Sequence, residues 1–200
     1  MADEVKIGVL ALQGDFAAHS EALRAAGATP VEVRTPEDLQ TVDGLVVPGG
    51  ESTTMLKLLD IENLFEPIRE FGRDKPIFGT CAGAILLAKE VVNPVQRSLG
   101  LMDLTVERNA YGRQIDSRIG KIEIGGHTAE AVFIRAPVIR RAGPEVSVLA
   151  TYQNAPVLAS EGKHMVATFH PELSNNNVVH AHFVDAVRKS RLAEMAESTT

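Results

Sequence analysis

A chain of 200 residues, 44% hydrophobic and 23% charged, suits one soluble domain with a full core; its net charge of −6 gives no reason to expect nucleic acid or an acidic membrane as partner. The one cysteine excludes an internal disulfide and fits a reducing compartment. No apolar run approaches the roughly 20 residues of a membrane helix, and the acidic start Met1-Ala2-Asp3-Glu4 lacks the basic and apolar regions of a signal peptide, so a cytoplasmic protein is expected.

Residues 5–12 form a nearly continuous apolar run, the pattern of a strand covered on both faces. Gln13-Gly14-Asp15 breaks it. Over residues 16–26, Phe16, Ala22, Leu23 and Ala26 share one helical face, and Gly27 ends the helix. Residues 30–33 predict a second strand, and Thr35-Pro36-Glu37-Asp38-Leu39 the capped first turn of a short helix with proline at its start. A third strand, 44–47, is cut off by Pro48-Gly49-Gly50. Helices follow over 52–59 and 64–71, then a fourth strand at Ile77-Phe78 and an apolar segment of helical character over 84–89. Alternating strand and helix argues for a mostly parallel sheet with helices on both faces. The working loops of such a sheet lie at the carboxyl ends of its strands. Gln13-Gly14, Gly49-Gly50-Glu51 and Thr80-Cys81-Ala82 are therefore expected to converge.

The second half changes character. Residues 104–107, 121–124, 131–134, 146–150, 156–160 and 164–169 read as strands joined by turns, with Glu161-Gly162-Lys163 a hairpin-like turn. An antiparallel extension of the parallel sheet is the expectation. Residues 178–192 form a closing helix with Val179, Phe183, Val184 and Val187 inward, and 193–200 a frayed tail. With no repeat, low-complexity stretch or linker, one domain spans 1–200.

Chemistry centres on Gly79-Thr80-Cys81-Ala82-Gly83. Strand, tight turn with flanking glycines, then helix is the layout of a nucleophile elbow, with cysteine in place of serine. A helix starting near Ala82 aims its amides and positive dipole end at the sulfur and favours the thiolate. The plain alternative is a buried structural cysteine; glycine on either side favours the elbow. A thiol needs a base, and the base needs an orienter. Of six histidines, only His170 ends a strongly apolar strand, and it continues into Pro171-Glu172. A carboxylate two residues on can reach back to one imidazole nitrogen and leave the other for Cys81. Pro48-Gly49-Gly50-Glu51-Ser52 reads as an oxyanion-stabilising and substrate-binding loop, or as a turn with Ser52 capping the next helix; both can hold. The amide of Ala82 would be the second oxyanion donor. Arg108, in a polar stretch that runs to Gln114, is either part of a solvated loop or a partner for a substrate carboxylate. No metal site is expected, because no two histidines have ligand spacing with a third partner; His180 and His182, two apart on a helix, do not share a face. No cofactor is called for.

The elbow with His170-Pro171-Glu172 resembles the class I, triad-type glutamine amidotransferases. Leu12-Gln13-Gly14, the stretch from Pro48 to Met55, Arg108-Asn109 with Gly112-Arg113-Gln114, and Phe133-Ile134-Arg135-Ala136-Pro137 narrow the resemblance to the glutaminase subunits of pyridoxal 5'-phosphate synthase. It runs from Lys6 to the closing helix. It implies a three-layer, flavodoxin-like α/β fold. It also implies Cys81 as nucleophile, His170 as general base and acid, and Glu172 as orienter. Gly49, Gly50 and Glu51 would line a glutamine pocket that Arg108 and the backbone around Ile134 and Arg135 also contact; Gln13 would lie by the oxyanion hole. The implied reaction is hydrolysis of L-glutamine to glutamate and ammonia. The ammonia would pass to a barrel-shaped synthase subunit making pyridoxal 5'-phosphate from ribose 5-phosphate and glyceraldehyde 3-phosphate, in an assembly of twelve copies of each subunit. Low activity without that partner is expected. Two positions depart from the family pattern: Ala18 where glutamate is usual, and Arg118 where an aromatic is usual. Three other readings stay open: a glutaminase serving another synthase, a cysteine hydrolase of the γ-glutamyl peptidase or DJ-1-like kind, and a non-catalytic subunit with a relic site.

Overall fold

Period-two alternation sets the two faces of the central sheet. In the computed structural model, which describes residues 4–110 and 117–197, β1 (Lys6–Leu10) lies between β2 (Thr29–Val33) and β3 (Gly44–Val47). Next to β3 stand β4 (Ile77–Thr80) and β12 (His164–Ala167), and all five strands are parallel. Ile7, Val9, Val46 and Phe78 point to one face; Leu10, Leu45, Val47 and Ile77 point to the other. The first set packs with Leu23 of α1 (Phe16–Ala25) and with Val179, Phe183, Val184 and Val187 of α6 (Val178–Glu197). The second packs with Leu39 of α2 (Pro36–Leu39), Met55 and Leu59 of α3 (Ser52–Ile61), Ile68 of α4 (Phe65–Asp74) and Leu86 of α5 (Ala82–Leu87). This is the three-layer α/β arrangement expected.

The antiparallel extension is narrower than the sequence predicts. Among the described residues, only β10 (Ser147–Tyr152) and β11 (Ala155–Glu161) continue the main sheet, beyond β12. The other strands of the second half leave it. β7 (Arg118–Ile124) and β8 (His127–Phe133) pair as a hairpin that adds Ile122, Ile124, Ala131 and Phe133 to the layer of α1 and α6. β6 (Met102–Glu107) joins two unpredicted strands, β5 (Ala88–Val92) and β9 (Val138–Ala142), beside the layer of α5. The first two residues of β5, Ala88 and Lys89, read as the end of the helical segment over 84–89 because they are helix formers, but pairing with β6 overrides that weak preference. β9 hides behind two arginines, which answer carboxylates on β6: Arg141 Nη1 and Nη2 donate to the Asp103 oxygens at 3.0 and 2.9 Å. The closing helix runs to Glu197, so residues 193–197 belong to α6, not to a frayed tail.

Candidate active site

The carboxyl ends of β1, β3 and β4 and the segment after β12 meet at one cavity of 480 Å³. Gly14, Gly49, Gly50, Glu51, Cys81 and His170 line it, so the three predicted loops do converge. Thr80 and Ala82, on either side of Cys81, are fully buried.

Cys81 takes φ 49° and ψ −102° between β4 and α5. A left-handed φ on a residue with a side chain is strained and needs support. Cys81 N donates to Ala167 O at 2.8 Å, and Cys81 O accepts from Ile85 N at 3.2 Å. The flanking glycines are required by close approach. A Cβ on Gly79 would lie 2.5 Å from the carbonyl of Gly83, and one on Gly83 would lie 2.1 Å from Val47 O.

His170 lies three residues past the end of β12, and its N–H donates to Val132 O at 2.8 Å. A 3-10 turn, Pro171–Leu173, folds Glu172 back until Oε1 is 2.8 Å from His170 Nδ1. A carboxylate oxygen only accepts, so Nδ1 carries the proton and Nε2 is left for chemistry. Gly49 leaves room for the ring: a Cβ there would meet His170 Cε1 at 2.5 Å and Cys81 Cβ at 3.3 Å. Burial opposes charge on His170, but hydrogen bonds with Cys81 and Glu172 prevail and raise its pKa to about 10.

The substrate-side loops are tied together. A Cβ on Gly14 (φ 81°) would lie 2.1 Å from Gly49 O. Gln13 Nε2 donates across Gly50 to Glu51 O at 2.7 Å. The cap of α3 is Glu51, not Ser52: its carboxylate accepts from Thr53 N at 3.0 Å and Thr54 N at 2.7 Å. Burial would raise the Glu51 pKa, but these amides outweigh it and bring it to about 2. Ser52 instead donates to Gln96 Oε1 at 2.9 Å. Arg108 reaches the cavity and donates through Nη2 to Thr53 Oγ1 at 2.9 Å, with Glu51 Oε1 at 3.3 Å. Ile134 and Arg135 also line the cavity, Arg135 at φ 47°, and Cys81 Sγ lies 4.0 Å from Ile134 O. The rest of the Arg108 motif, Gly112-Arg113-Gln114, lies outside the described residues.

Sequence reasoning missed the groups behind Glu172. His19 of α1 and His180 of α6 are fully buried, and His19 Nε2 stands 3.3 Å from Glu172 Oε2. The signal was available in helical periodicity. His19 falls between Phe16 and Leu23 on the inward face of α1, and His180 is four residues before Val184.

Residues 9–189 match the model of the SNO glutamine amidotransferase family. The chain belongs to this family. Among similar proteins, "Pyridoxal 5'-phosphate synthase subunit PdxT" of Solibacter usitatus is 59% identical over 90% of this chain and 97% of its own. Its namesake from Koribacter versatilis is 53% identical over 95% and 100%. A crystal structure described as a glutamine amidotransferase superposes with a TM-score of 0.85 at 46% identity, over 90% of this chain and 98% of its own. A glutamine amidotransferase from Thermotoga maritima, 15% identical with a TM-score of 0.59 over 94% of this chain and 86% of its own, shares the fold alone.

Proposed function

We propose that this amidotransferase hydrolyses L-glutamine at the 480 Å³ cavity, with Cys81 as nucleophile, His170 as general base and acid, and Glu172 as the orienter of His170. The observation that carries this reading is a strained Cys81 sharing that cavity with an imidazole whose far nitrogen is held by a carboxylate at 2.8 Å. The Cys81 sulfur attacks the side-chain carbonyl of glutamine, and the carbonyl oxygen takes up negative charge. Backbone amides of Gly50 and Ala82 are the donors for that charge, with Gln13 bracing the Gly50 loop from behind. The C–N bond then breaks, and protonated His170 gives its proton to the departing nitrogen, which leaves as ammonia. His170 next takes a proton from water, the hydroxyl attacks the γ-glutamyl thioester, and glutamate departs as Cys81 is freed.

Gly49, Gly50 and Glu51 form the floor of the glutamine pocket, and Ile134 and Arg135 its far wall. Arg108 is the cation for the substrate α-carboxylate, which exchanges for a present partner of the guanidinium. Ammonia released into water at neutral pH becomes mostly non-nucleophilic ammonium, which is the physical case for docking on a synthase. The names of the similar proteins support a pyridoxal 5'-phosphate synthase as that partner. We assign it the barrel-type synthase subunit, in an assembly of twelve copies of each. The whole chain serves as one glutaminase domain, and its free thiol suits the reducing cytoplasm.

The test is ammonia release from glutamine by the chain with and without that synthase. Release should rise on mixing and vanish with Cys81→Ala. Undiminished release by the variant would remove Cys81 from the mechanism, and recovery of a different synthase in a pull-down would overturn the partner.

A further inference from the structure

A carboxylate has two oxygens, and only one oxygen of Glu172 faces His170. Oε2 is buried, makes no well-aligned hydrogen bond, and has His19 Nε2 at 3.3 Å. The same nitrogen is 3.2 Å from Thr80 Oγ1, and His19 Nδ1 is 2.9 Å from His180 Nε2. Burial pushes His19 well below the ordinary histidine range and His180 down to about 4, so each ring holds one proton at neutral pH.

Where those protons sit follows from the partners. A proton on His19 Nδ1 would turn the Nε2 lone pair toward a buried carboxylate oxygen 3.3 Å away that can only accept. A proton on Nε2 instead faces two groups able to accept, Glu172 Oε2 at 3.3 Å and Thr80 Oγ1 at 3.2 Å, and Nδ1 then accepts from His180 Nε2–H. The far end of this hydrogen-bonded series is His180 Nδ1, which has no hydrogen-bond partner among the described residues. Under this assignment that atom is a bare lone pair, cheaper to leave unmatched than a buried N–H. One direction of donation thus runs from His180 through His19 to Glu172, and a separate donor, His170 Nδ1–H, meets the carboxylate from the front.

We propose that His19, its tautomer fixed by His180, is a positioning residue of the triad: its neutral Nε2–H holds the rear oxygen of Glu172 so that the front oxygen stays on His170. This rests on the triad reading above. No proton leaves His19 at any step. A residue there without an N–H would leave a buried carboxylate oxygen unmatched, and the carboxylate would turn to relieve it.

Glutaminase activity of the complex with its synthase is compared for wild type, His19→Leu and His19→Gln; the glutamine side chain returns an N–H near the Nε2 position. Leu should lower kcat by roughly 10- to 100-fold, the usual loss when a supporting hydrogen bond behind a functional group is removed, with KM for glutamine unchanged. Gln should recover most of it. Equal kcat in Leu and wild type overturns the proposal, and so does an equal loss in Leu and Gln. The nitrogen-15 spectrum of the wild-type imidazoles reads the tautomer whether or not a variant folds. Neutral His19 protonated on Nε2 is expected; a proton on Nδ1, or a cationic ring, overturns it. A wild-type complex that releases no ammonia would strike the triad reading instead, and the spectrum would still decide His19.

Discussion

Two glycines, each given one methyl group, separate chemistry from folding. At Gly49 the added Cβ would press on the His170 ring at 2.5 Å, and the backbone there is not left-handed. The ring must yield, so Gly49→Ala should cost about 100-fold in kcat, the scale of an ångström's misplacement of a reacting group, with the far-UV circular dichroism unchanged. At Gly83 the methyl would meet Val47 O at 2.1 Å, and a backbone carbonyl cannot swing aside. Gly83→Ala should lose ~3 kcal/mol of stability, the upper range for overpacking, read as a lower urea midpoint. Residues of this kind were legible in the sequence because their spacing is local: glycine, cysteine and glycine within five positions, and histidine two before glutamate. Glu51 was harder, since Glu51 and Ser52 can each cap a helix and only the register of the turn decides which one faces Thr53 and Thr54.

Elements with a steady hydrophobic period show their start and inward face in the sequence, though α6 runs five residues past its expected end. α6 shows its inward face as Val179, Phe183, Val184 and Val187, all buried. Phe183 also packs its ring 5.4 Å from that of Phe78 on β4. Phe183→Ala should therefore cost about 3–5 kcal/mol, the usual loss for a buried aromatic, measured by chemical denaturation. Elements whose reason for existing lies elsewhere in the chain were missed. β5 is a strand only because β6 lies beside it, and β9 puts its arginines where β6 holds carboxylates. The His19–His180 contact joins residues 161 positions apart. Helical period places each of them inside the protein, but the pairing of α1 with α6 decides what each one touches.

Acid should find the whole molecule at its histidines first. His19, His164 and His180 have folded pKa values below the ordinary 6.5, the last two at about 4, chiefly through burial. As pH falls below 6.5 the unfolded chain takes up protons that the folded one refuses, so stability drops. Three such groups give a slope of up to about 4 kcal/mol per pH unit, at ~1.4 each. His170, raised to about 10, has the opposite sign: its contribution is complete below pH 6.5 and fades as pH rises through 10. Glu51, lowered to about 2, contributes above its ordinary 4.5 and loses that contribution as pH falls toward 2. Urea midpoints should fall between pH 6.5 and 4.5; a flat profile there would contradict neutral buried imidazoles. The helix behind Cys81 belongs to the layer of α3 and α5, while Phe169, which leads into His170, and the helices bearing His19 and His180 belong to the layer of α1 and α6. The sulfur and its base thus follow adjacent strands of one sheet but are backed by different layers, and turnover depends on how well the two layers are aligned. Warming that lets one layer creep by about an ångström is enough to slow catalysis about 100-fold. Thermal inactivation should accordingly run several degrees ahead of melting followed by circular dichroism, and be reversible on cooling from that interval.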